Sequence, residues 1–272
     1  MRTGWAGIHG TLAALLILGT PALARAQDDG RIDYFDPLVS RSPAPERELD
    51  VGVSHQKGGD GRFTTISGDF TWSFDDKYQL TLSTPIGIND PRNGSARVGF
   101  GDVGLEGQYV FFSAPGQRAL AAMGLALTMP SGSANRGLGG QTVTTPFITG
   151  ALARGDFQLI GEVNYALTGA GPTSGAQTFT ANAALGYTAF RGVTPLVELS
   201  LVRQTHAADQ AFTSDGTSNN LLLNRTQAYA TPGLEVKLAE RVKARAGVQL
   251  PLTSSNARQF DYNIISAFTF EF

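Results

Sequence analysis

From Glu46 onward the chain alternates apolar and polar residues in runs of roughly ten, each closed by turn residues, the spacing of a wall with two different faces. Leu49, Val51 and Val53 interleave with Glu48, Asp50 and Ser54; Ile66, Phe70, Trp72 and Phe74 interleave with Ser67, Asp69, Thr71 and Ser73. A period of two predicts strands, because successive side chains of a strand point to opposite sides. Twelve strands are predicted, over 47–56, 63–74, 78–86, 100–112, 118–129, 142–153, 157–167, 178–189, 193–203, 222–237, 242–251 and 262–272. The sixth alternates least clearly; its pattern places Val143, Phe147 and Ala151 on the outward face. The last run ends Phe268-Thr269-Phe270-Glu271-Phe272, an apolar and aromatic face that suits lipid and its interface.

The connections carry a second pattern. Those after the second, fourth, sixth, eighth and tenth strands are short, as at Asp75-Asp76-Lys77, Ala114-Pro115-Gly116 and Arg154-Gly155-Asp156. Most of the others are longer and more polar, at 88–98, 130–141 and 205–220 among them. An even strand number, with short turns at one end and long loops at the other, predicts an all-β fold: a transmembrane up-and-down antiparallel β-barrel of about twelve strands. The last strand then closes on the first, with Glu48 and Asp50 expected beside Asn263 and Glu271.

Composition narrows the compartment. Residues 1–26 hold an apolar run from Thr11 to Leu18 and a small-residue site at Ala24-Arg25-Ala26, the form of a signal peptide cleaved near Ala26 after Sec export. Removing it takes away Arg2 and Arg25 and no acids, which turns 21 basic and 23 acidic residues into 19 and 23, a net charge of −4. That charge excludes a nucleic-acid footprint. With 0 Cys, no disulfide braces the exported chain. Residues 27–46, broken by Pro37, Pro43 and Pro45, predict a flexible periplasmic N-terminal segment, with the outer-membrane barrel over 47–272.

Several short motifs carry a resemblance. Gly99-Phe100-Gly101-Asp102-Val103-Gly104-Leu105 lies mid-chain, Leu82-Ser83-Thr84-Pro85 and Leu127-Thr128-Met129-Pro130 end strands, Thr231-Pro232-Gly233-Leu234 comes late, and the terminal strand is aromatic. Together they resemble the outer-membrane barrel family named for the meta-pathway of phenol degradation. The resemblance implies a barrel for passage of small, often aromatic or hydrophobic, compounds, and it supplies no catalytic residue. The aromatic terminus also resembles the sorting signal read by the barrel-assembly machinery. Outer-membrane lipid, that machinery and a small-molecule solute are therefore the expected partners.

The inward positions hold the candidate solute path. Acids fall at Glu48, Asp50, Asp69, Asp102, Glu106, Glu162 and Glu198; bases fall at Lys237, Lys243 and Arg245, with Glu235 nearby. Opposed charged walls would orient a polar solute, whereas internal ion pairs would plug the barrel. No catalytic constellation, cofactor motif or metal spacing emerges. Only His55 and His206 remain after export, with no second His at ligand spacing, and alternation puts Ser54 inward and His55 outward. The expected function is passive passage of small molecules; the alternative is a structural or surface-interaction barrel that acts through its loops.

Overall fold

The computed structural model describes residues 32–171, 173–209, 223–254 and 259–272. The signal peptide expected over 1–26 lies outside them. The strands are β1 Glu48–Gly58, β2 Gly61–Ser73, β3 Tyr78–Pro91, β4 Arg97–Phe100, β5 Val103–Ser113, β6 Ala119–Met129, β7 Thr142–Arg154, β8 Phe157–Ala170, β9 Gln177–Tyr187, β10 Val193–His206, β11 Thr226–Ala239, β12 Val242–Pro251 and β13 Tyr262–Glu271. Neighbours pair antiparallel, and β1 pairs with both β2 and β13, so the sheet closes into a twelve-stranded barrel. The short β4 extends the β5 stave beyond a break at Gly101-Asp102 and pairs with the far end of β3. That break divides the predicted strand 100–112. The other staves are 10 to 14 residues long, and a tilted strand crosses a bilayer core with about 9–11.

Closure removes the edges that an open sheet would expose. At the seam, Glu48 lies opposite Glu271 and Asp50 opposite Thr269, whereas Asn263 lies opposite Gln56 at the other end of the pair. The antiparallel register therefore separates Asn263 from the acids it was expected to join. On the outward side of the seam, Phe272 stacks on Phe70 at 5.8 Å and leans on Trp72 at 6.0 Å.

Large apolar side chains such as Leu80, Leu125, Leu199 and Phe268 are exposed on the outward face, as the alternation predicts. The strand over 142–153 departs from that prediction. Phe147 is 3% exposed and points inward with Ala151, while Ile148 is 52% exposed and points outward. Its pattern misleads because the inner wall here is apolar as well. Val110, Leu120, Ala122, Ala151, Ile160, Ala184 and Leu196 form a buried cluster inside the barrel, closed by Tyr34 and Phe35 of the N-terminal segment.

Those two aromatics belong to a segment that is not a free lead-in. Over 32–46 the chain enters the barrel at the short-turn end, reaches its deepest point around Leu38–Arg41, and returns to β1. Tyr34 donates its hydroxyl to the Gln117 carbonyl at 2.8 Å in the β5–β6 turn. Leu38 seats where β11 and β12 carry the paired Gly233 and Gly247. A Cβ added at Gly233 would meet Leu38 Cδ1 at 2.5 Å and the backbone oxygen of Ala246 at 2.9 Å, so the seat requires glycine. Phe35 lies against Gly186 in the same way, 2.6 Å from where a Cβ would stand.

Candidate functional site

The site is the inner wall together with the segment, here called the plug, that the wall holds. Glu198 on β10 is fully buried and binds the plug's tip. Its carboxylate accepts the Leu38, Val39 and Ser40 amides, with Ser40 N at 3.0 Å and the Ser40 hydroxyl at 2.9 Å. A turn of backbone thus presents its N–H groups to one anion, the arrangement that makes a buried carboxylate tolerable. Arg41 follows. Its Nε donates to Glu106 at 2.8 Å, another guanidinium nitrogen pairs with Glu162, and its amide donates to Glu162 at 2.8 Å. The guanidinium also lies 4.6 Å from the centre of the Phe147 ring. Burial opposes its charge, but the Glu106 and Glu162 carboxylates outweigh burial and push its pKa upward.

The bases of β12 meet the root of the plug. Lys243 pairs with Glu271 at 2.8 Å and Asp33 at 3.1 Å, and lies 3.7 Å from Asp36. Arg245 pairs with Asp50 at 2.6 Å and lies 3.4 Å from Asp36. Lys237 reaches Asp33 at 3.6 Å, and Glu235 accepts the Asp36 amide at 2.7 Å. Glu46 sits beside Glu48 and Asp36; burial first, and then those two carboxylates, push its pKa well above the usual carboxylate range.

Most of the inward charges read from the sequence are therefore brought together by the plug. Glu106, Glu162, Glu198, Glu235, Lys237, Lys243 and Arg245 contact it directly, and Asp50 joins through its partner Arg245. Glu48 lies beside the plug's Asp36 and Glu46. Arg245–Asp50 and Lys243–Glu271 pair directly within the wall, while Glu106, Glu162, Glu198, Glu235 and Lys237 meet plug residues. Asp69 takes no part, lying between Asp50 and Ser83 in the sheet. Asp102 serves the opposite end. It accepts the amides of Gly132, Gly140 and Gln141, each at 2.8 Å, and so holds the β6–β7 loop inward, where Leu138 is buried.

Sequence reasoning missed Asp33, Asp36, Leu38 and Arg41. The available signal was an inward wall with more acids than its own bases could pair, next to a proline-broken segment containing Tyr34-Phe35. The Ser54–His55 reading holds in its geometry. Ser54 donates to Asn263 inside at 2.8 Å, while His55 Nδ1 bonds Thr64 at 2.8 Å.

No family model matches the sequence, and no curated relative matches it. Solved structures do share the fold. The COG4313 outer membrane channel from Pseudomonas putida F1 is 13% identical with a TM-score of 0.65, over 88% of this chain and 100% of that one. The NanC porin is 11% identical with a TM-score of 0.59, over 82% and 100%. The KdgM porin is 15% identical with a TM-score of 0.53, over 83% and 99%. The chain thus has the fold of outer-membrane porins and channels.

Proposed function

We propose that this chain is an outer-membrane channel for passive passage of small molecules, narrowed at its periplasmic end by residues 32–46. In this reading the chain is exported by the Sec route, cleaved near Ala26, and inserted into outer-membrane lipid by the barrel-assembly machinery. The short turns face the periplasm and the long loops face outward. The observation that carries the reading is the character of the inner wall at and beyond the plug's tip. Asn182, Ser200, Gln227 and Thr231 each hold a buried side-chain polar atom with no protein partner among the described residues. Asn182 and Ser200 lie directly opposite each other on β9 and β10. A polar inner wall of this kind suits a barrel whose interior passes water and small polar solutes.

The family resemblance adds small aromatic and hydrophobic compounds to the proposed solutes. The rival reading, a barrel that acts through its loops, is disfavoured at the β6–β7 loop, which folds inward over Leu138 rather than projecting. No catalytic role is proposed. Liposome swelling with small solutes, beside single-channel recording, tests the reading. Flux through the folded barrel supports it; a folded barrel that passes neither ions nor solutes overturns it.

A further inference from the structure

Three carboxylates converge where the plug rejoins the wall. Asp36 and Glu46 come from the plug and Glu48 from the start of β1, and one oxygen from each lies within 4.8 Å of the others. Asp36 is 4% exposed and Glu48 8%. Asp36 Oδ2 and Glu48 Oε2 are buried without a hydrogen-bond partner. Lys243 and Arg245 each pair with Asp36 Oδ2, at the long end of ion-pair distance. Lys243 bonds Glu271 at 2.8 Å and Arg245 bonds Asp50 at 2.6 Å, while Asp36 is left at 3.7 and 3.4 Å from them.

Glu48 Oε2 is left without any partner, and a buried carboxylate oxygen in that position takes up a proton or a cation. All-oxygen donors select a hard cation. Calcium bonds oxygen at about 2.3–2.6 Å, so oxygens on one calcium stand up to roughly 5 Å apart; magnesium, at about 2.0–2.1 Å, demands a tighter octahedron. Carboxylates from two segments, held within this span, suit the larger and more flexible shell of calcium. A route exists as well, because Glu46 lines a cavity of about 470 Å³ that opens at the short-turn end beside Tyr34, Glu271 and Phe272.

We infer that Asp36, Glu46 and Glu48 form a calcium site that ties the plug to β1. Water completes its coordination from the cavity side. The expectation of no metal came from the absence of paired histidines; a carboxylate site assembled from two segments leaves no such spacing in the sequence.

The test is equilibrium binding of calcium to the full exported chain, folded in detergent free of lipopolysaccharide, at constant ionic strength. One saturable site per chain is expected, with a dissociation constant of about 10⁻⁴–10⁻³ M, the range of extracellular calcium modules. Glu48→Gln and Glu46→Gln should each weaken it at least roughly tenfold, the scale of losing one charged ligand, whereas Asp69→Asn should leave it unchanged. Glu46 lies outside the strands, so E46Q tests the site even where E48Q fails to assemble. No saturable calcium uptake by the wild-type chain would overturn the inference, as would uptake that E46Q retains at full affinity.

Discussion

Among the described residues, two segments that fold into this barrel, one from each end, are each held by a wall carboxylate that gathers backbone amides. At the short-turn end Glu198 takes three amides and a hydroxyl from Leu38, Val39 and Ser40. At the loop end Asp102 takes three amides from Gly132, Gly140 and Gln141. Their settings differ. Glu198 is fully buried and the plug around it has further ties through Arg41, Asp33 and Asp36. Asp102 is half-buried, and its loop adds mainly the apolar seat of Leu138. Hydrogen bonds to charged groups strengthen as water is excluded. The same device therefore makes a firm anchor at one end and a looser one at the other.

The largest effect is expected at Glu198. Replacing it with glutamine removes the charge that three amides share, and charged hydrogen bonds contribute about 1.5–3 kcal/mol each. Because the chain has 0 Cys, a single cysteine at Val39, which gives the anchor only its backbone amide, reports plug release by its thiol-labelling rate. E198Q should speed that labelling by roughly 30-fold or more, the equivalent of about 2 kcal/mol at 1.4 kcal/mol per decade. Asp102→Asn, read by a cysteine at Ser133, should speed labelling only about fivefold, for about 1 kcal/mol. Equal effects at the two ends would mean that burial does not distinguish the two anchors.

A packing test comes between these in size. Gly186→Ala drives a methyl into the Phe35 ring, and overpacking of this kind costs about 1–3 kcal/mol. The plug should label faster in G186A, and adding Phe35→Ala should remove the effect of the alanine at 186. Failure of the second change to cancel the first would mean that Phe35 does not occupy this seat.

The smallest effect concerns pH. Burial pushes the Tyr34 hydroxyl from its ordinary value of 10.0 to about 12. A group with a raised folded pKa stabilises the folded state below its unfolded pKa and loses that contribution as pH rises through the folded value. Anchoring by Tyr34 should hold below about pH 10 and fade between pH 10 and 12. Tyr34→Phe should remove this part of the pH dependence from the labelling rate.

The barrel was legible in the sequence because lipid imposes one requirement on every stave. Leu49, Val51 and Val53, or Leu199 and Leu201, face outward whatever lies inside, so alternation reports their side directly. Where the interior is apolar too, as beside Phe147, alternation loses its contrast and its phase inverts. The inward charges were legible as a set, since Glu106, Glu162 and Glu198 fall on the polar phase of their strands. Their partners were not. Arg41 meets Glu106 and Glu162 across 65 and 121 residues, and no local period encodes a contact of that range. Prolines at 37, 43 and 45 read as flexibility when taken alone; in the barrel they belong to a segment whose amides and charges the wall already holds.

Whether residues 32–46 narrow the lumen is tested most directly by single-channel conductance. The exported chain is compared with a variant lacking residues 32–45 in the same planar bilayer. Conductance should rise several-fold without the plug. Equal conductance of two folded barrels would contradict the assignment of the constriction to this segment.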